Sequence, residues 1–183
     1  MEAHGATLPG PAEAAEAAHA AAALVVSAGR ADTDPELAAR LVGLVDEVGL
    51  DTLAELWSDR PARSLPGALW RLYLVREWVR RQPAEASREY AVGMLVAPVE
   101  HVVAGVAEPP GPDDVLAMID AVLGGAFRGD LDVALERCAA FCLVVATGRA
   151  HDDSADVELA AALSTTAADL AACAALWRAD ALV

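Results

Sequence analysis

The chain has no lysine, no asparagine and a single isoleucine, Ile119. All three residue types draw on AT-rich codons, so their scarcity reads as the mark of a GC-rich genome and excludes no chemistry. The shortage of histidine is more informative, because His4, His19, His101 and His151 are the whole supply. Glu16 and His19 have the helical spacing of half a carboxylate-bridged di-iron site, but that pattern needs a second such pair, and none exists. Glu100 and His101 are adjacent and point about 100° apart on a helix. His151-Asp152-Asp153 falls between helices, where Asp is an expected capping residue. The sequence therefore predicts no metal ligand set and no cofactor. A Gly-x-Ser-x-Gly elbow, a phosphate loop and a dinucleotide fingerprint are also missing. Gly124 to Gly129 is glycine-rich, yet a turn between helices accounts for it. No nucleophile and base stand at a recognisable spacing, so an enzyme is not the expected reading.

Cysteine is scarce too. Cys138, Cys142 and Cys173 are an odd set in alanine-rich helical sequence, which does not fit a secreted disulfide framework. Buried reduced thiols are expected. The N-terminus has no basic region of the signal-peptide kind. The longest apolar run, Ala91 to Val99, contains Gly93 and Pro98 and is too short to span a bilayer. A soluble, cytoplasmic protein is expected. With a formal charge of −15, the chain lacks the positive footprint that binding to nucleic acid or to an anionic membrane requires.

What the chain has in abundance is Ala, Leu and Val, which suits closely packed helices. Prolines and glycines punctuate it. Pro11 opens a helix that should stop at Gly29. Asp34-Pro35 opens one that should run to Gly49, and Asp51 a short one closed by Pro61. Ser64 and Pro66 start an arginine-rich helix that Pro83 ends. The next should break at Pro98. Glu108-Pro109-Pro110-Gly111-Pro112 reads as a loop. Pro112 starts a helix expected to stop at Gly124-Gly125, and Asp130 one expected to end at Gly148. In the last region Ser164-Thr165-Thr166 suggests a break, with Thr166 and Asp169 as a cap pair. No segment alternates like a strand. The fold class expected is all-α, a compact single-domain bundle of about eight helices over residues 11–183 behind a flexible 1–10.

One segment reverses the charge. From Arg60 to Arg88, seven arginines face two glutamates, which leaves +5; six arginines and 26 acids elsewhere leave −20. Trp57, Trp70, Tyr73, Trp78 and Tyr90, five of the eight aromatics, lie in or beside it. On a wheel of about 100° per residue with Trp70 at zero, Leu74, Trp78, Val75 and other apolar residues fill one broad arc. Arg71 falls inside that arc. An arginine there must find a carboxylate, because an unpaired buried charge is very costly. We expect it to pair with an acid on a neighbouring helix and to stack on Trp78; the functional alternative is a hold on a ligand carboxylate or phosphate. Arg76, Arg80, Arg81 and Tyr73 occupy the other side. Either the protein's own acids neutralise them, or they form an outer strip for an acidic partner, with Trp70 and Tyr73 adding stacking.

The run Ser64-Leu65-Pro66-Gly67-Ala68-Leu69-Trp70-Arg71-Leu72-Tyr73, with Gly129-Asp130-Leu131 later, resembles a family of small uncharacterised all-helical proteins from GC-rich actinobacteria. The resemblance covers the middle and later chain, implies a cytoplasmic helical protein and carries over no catalytic or binding residue. Two functions are therefore expected. The first is a non-enzymatic interaction or regulatory module whose Arg/aromatic helix meets an acidic protein surface or a second copy of the chain. The second is a helical binding protein for a small anionic ligand held by Arg71 with Trp70 or Trp78.

Overall fold

The computed structural model describes residues 10–31, 35–105, 111–151 and 157–183. The described residues form ten helices and no strand: α1 (Pro11–Ala31), α2 (Pro35–Val42), α3 (Leu44–Val48), α4 (Leu50–Trp57), α5 (Leu65–Arg81), α6 (Pro83–Gly93), α7 (Pro98–Ala104), α8 (Pro112–Arg128), α9 (Leu131–Ala150) and α10 (Val157–Arg178). Five of them start on proline, whose fixed φ and missing N–H suit the first helical position. The Ser64 hydroxyl caps α5 by accepting from Gly67 N at 3.2 Å. The Asp34 cap, Asp152 and Asp153, the Glu108–Pro110 stretch and residues 1–9 lie outside the described residues.

The count of ten, not eight, comes from particular places. Gly43 breaks the expected 35–49 helix into α2 and α3. Conversely, Gly124 and Gly125 do not stop α8, which continues to Arg128 and ends at Gly129 with φ 111°. Two helical glycines cost about 1 kcal/mol each against alanine, but burial of Leu123, Ala126 and Phe127 in that last stretch outweighs it. Ser164, Thr165 and Thr166 do not break α10 either. Each hydroxyl donates to the carbonyl four residues back, at 3.0–3.1 Å, so the side chains are satisfied inside the helix. The expected Thr166–Asp169 cap pair is therefore a mid-helix sequence.

All these elements share one core. α9 runs through it, with Cys138, Phe141, Cys142, Val144 and Val145 fully buried, and packs along α10, α6, α7 and α8. Tyr90 of α6 stacks on Phe141 of α9 at 5.5 Å between centroids. A second aromatic chain links Trp57 of α4, Tyr73 of α5 and Phe127 of α8, each step 6.2 Å. Their polar atoms find carbonyls: Trp57 Nε1 donates to Ala18 O, and Tyr73 OH to Leu41 O. α10 is long and apolar enough by length and composition to cross a bilayer. Its apolarity is largely alanine, and it carries Asp169 within the helix. Arg178 at its end donates to Asp132 at 2.7 Å and Glu136 at 2.5 Å on α9.

The tightest contact is between α6 and α9. A Cβ on Gly148 would lie 1.8 Å from Glu89 O, and one on Gly93 1.8 Å from Val144 O. The two backbones touch, and no side chain can yield. Gly148→Ala should therefore cost about 3 kcal/mol, read as a lower urea midpoint; a loss under about 1 kcal/mol would show that the helices part easily.

The Arg178 cluster gives a pH dependence. Hydrogen bonding from Arg178 holds the Asp132 and Glu136 carboxyls below their ordinary values. A depressed carboxylate pKa adds stability that is complete above the unfolded value and disappears as pH falls through the folded one. Arg178→Met should lower stability at pH 7 but leave it nearly unchanged at pH 2, so its acid denaturation profile is flatter than that of the native chain. Equal losses at both pH values would contradict this linkage.

Candidate functional site

α5 packs against α1, α4, α6, α8, α9 and α10; Tyr73 meets Trp57 of α4 and Phe127 of α8, while Arg71 approaches Asp169 of α10. The side expected to be an outer strip faces the interior for much of its length. Tyr73 is fully buried among Trp57 and Phe127, and burial raises its hydroxyl pKa. The Arg76 side chain is only 7% exposed; its Nε donates to Asp120 of α8 at 2.7 Å, and Nη1 stands 3.9 Å from Asp46 of α3. Arg80 pairs with Asp46 and Arg81 with Glu77, the latter at 2.7 Å. Arg80 and Arg81 are exposed, at 39% and 65%. The protein's own carboxylates thus meet this set of arginines. The wheel misplaced the strip because it assumed one buried face, whereas α5 is covered on both.

The other arc forms a cleft of 370 Å³. Arg71, Leu74, Val75 and Trp78 of α5 supply one wall, within about 40–140° on the wheel, and Gln82, the residue that caps the helix, extends it. Leu159, Ala162, Leu163 and Thr166 of α10 supply the other, with Glu85 of α6 and Arg149 of α9 at one end. The two helices run antiparallel, since Arg71 approaches Asp169 while Trp78 and Gln82 share the cleft with Leu159. Trp70 is half-buried against the core and does not line the cleft.

The ends of the cleft differ in charge. At one, Arg71 Nη1 donates to its own helix at Gly67 O, 3.1 Å, and Nη2 is 3.8 Å from Asp169 Oδ2. Asp169 lies closer to Arg63, whose Nε donates to Oδ1 at 3.2 Å. Two arginines share one carboxylate, and a guanidinium has five donors to place. At the other end Arg149 is held by two carboxylates. It donates to both Glu89 oxygens at 2.7 and 2.8 Å and reaches Glu85 Oε1 at 3.4 Å. Here two carboxylates share one arginine. The expected stacking of Arg71 on Trp78 is made instead by Arg149, 5.5 Å from the ring centroid. Trp78 Nε1 donates to Gln82 Oε1 at 2.8 Å.

Nucleophilic chemistry finds no support beside this cleft. Cys173 is buried near the Arg71–Asp169 pair, and desolvation, then Asp169, push its thiol up to about 11. It is protonated at neutral pH and a poor nucleophile. The described His19 and His151 rings each bond a carbonyl of their own helix, Ala15 O and Thr147 O. No cluster of three metal-binding side chains occurs among the described residues.

No protein-family model, no curated protein and no solved structure matches this chain. The site therefore rests on its own geometry. The sequence singled out Arg71 and Trp78 and missed Arg149, Glu85, Gln82 and the α10 wall. Leu159-Leu163-Thr166 at helical spacing was the available signal, and it is indistinguishable from a core stripe until α5 is placed opposite it.

The interior pairing yields its own test. Asp120→Asn leaves Arg76 with Asp46 alone, and because the Asp120 side chain is 48% exposed solvent softens the loss to about 1–2 kcal/mol. Adding Arg76→Met should recover part of it. Urea midpoints check both; an unchanged midpoint for the single variant would show that Arg76 does not depend on Asp120.

Proposed function

We propose that the protein is a non-enzymatic binding protein for a small amphiphilic carboxylate, seated between α5 and α10. The observation that carries this reading is Arg71: a partly exposed guanidinium, 23% accessible, at the mouth of an apolar cleft, with its nearest carboxylate 3.8 Å away and shared with Arg63. A ligand carboxylate would accept from Nη2, which Asp169 holds only loosely. Such charge-assisted hydrogen bonds contribute about 1.5–3 kcal/mol each. Leu74, Val75, Trp78 and Leu163 would then take the apolar part, at about 0.8 kcal/mol per buried methylene. The volume falls in the range of small-molecule sites.

The other reading, an acidic partner or a second copy on the arginine strip, keeps Arg80 and Arg81 as its exposed groups. Both already have carboxylates, Asp46 and Glu77, and a partner would have to displace them. Surface ion pairs of that kind contribute little.

Calorimetry with hexanoate, octanoate and decanoate should show affinity rising about fourfold per added methylene. Arg71→Gln should weaken decanoate binding by about tenfold or more, while Arg81→Gln leaves it unchanged. Absence of binding by any of the three at millimolar concentration would rule the reading out.

A further inference from the structure

The charge difference between the two ends of the cleft says more about the ligand than its volume does. At the Arg71 end, Arg63 and Arg71 share Asp169, a local excess of one positive charge. At the far end Glu85 and Glu89 share Arg149, a local excess of one negative charge. Glu89 takes the two short bonds from Arg149, so Glu85 is the loosely held member, with its side chain 38% exposed. Its Oε1 is 3.4 Å from Arg149 Nη2. Between the ends the wall is Leu74, Val75, Trp78 and Leu163, with no charge. From Arg71 to Gln82 the helix rises about 16 Å, a length that roughly a dozen extended carbon–carbon bonds would fill.

Resting on the carboxylate-binding reading above, we infer that the cleft selects a bipolar linear ligand: a carboxylate at Arg71, an apolar chain, and a protonated amine at Glu85. A monopolar fatty acid satisfies one end and leaves the Glu85 carboxylate facing its terminal methyl. A dicarboxylate sets its second anion against Glu85, a like-charge contact in a partly desolvated site. A terminal ammonium supplies the donors that Glu85 receives only weakly from Arg149, and Gln82, which also lines the cleft, has a second lone pair on the Oε1 that accepts from Trp78. The Trp78 ring does not serve as the cation site, because Arg149 already stands over it.

The test is calorimetric titration of the full chain with dodecanoate, its ω-amino derivative and dodecanedioate. The ω-amino acid is expected to bind about tenfold tighter than dodecanoate, and the dicarboxylate about tenfold weaker. Glu85→Gln should remove both the advantage of the ω-amino acid and the penalty of the dicarboxylate relative to dodecanoate on the same variant; Arg149 keeps its Glu89 pair, and circular dichroism verifies that the helices remain. If dodecanoate binds as tightly as the ω-amino acid, the bipolar inference fails and the carboxylate reading stands. Should none of the three bind, both fall.

Discussion

Gly148 sets the distance on which the cleft depends. Because it has no Cβ, the backbone of α6 at Glu89 lies directly on α9. The next residue is Arg149, and the same approach brings both Glu89 oxygens within 2.8 Å of its guanidinium. Held there, Arg149 cannot swing into the cleft and instead covers one face of Trp78. The indole is then fixed with its Nε1 on Gln82. A single missing methyl group therefore propagates through an ion pair and a ring contact to the wall of the cleft. A bulkier residue would move α6 outward and release each of these in turn.

Arginine performs the cross-linking elsewhere too. Arg76, Arg149 and Arg178 each reach two carboxylates, and Arg178 forms close bonds to both. A guanidinium does this because its donors are spread over a rigid plane, whereas an ammonium offers a single point of charge. In a chain without lysine every such bridge falls to arginine. The basic segment that stands out in the sequence is thus met largely by the protein's own acids, drawn from α3, α5, α8 and α10. Its net charge is a poor guide to what it presents outside.

Much of the fold was legible because its signals are local. Pro11, Pro35, Pro83, Pro98 and Pro112 each open a helix, and Ser64 caps one, since these effects act within a single turn. The misreadings at Gly124-Gly125 and Ser164-Thr166 share a cause: local preference, about 1 kcal/mol per residue, gave way to burial and to side-chain bonds within the helix. Half of the site was legible for the same reason. Arg71 stood in an apolar arc, and the arc proved to be the cleft wall. Arg149 and Glu85 were not, because only the crossing of α6 on α9 gives them a common place, and no spacing along the chain encodes that crossing. Tyr73 and Arg76 were placed on the wrong side because a helix wheel cannot show that both sides of α5 are covered.

A protein of formal charge −15 is an unexpected host for an anion. The objection holds for long polyanions, which must lie along a surface and meet its summed potential. It does not hold for one carboxylate in a cleft. At physiological salt, exposed charges are screened beyond about 8 Å, so most of the acidic surface is invisible from Arg71. What remains is the nearby set: Arg63, Arg71 and a single Asp169, partly desolvated by the α5 and α10 walls, where each contact counts for more than in water. The same reasoning applies at the far end with the sign reversed. On the proposed reading, local imbalance and not net charge would decide which ligand end each part of the cleft accepts.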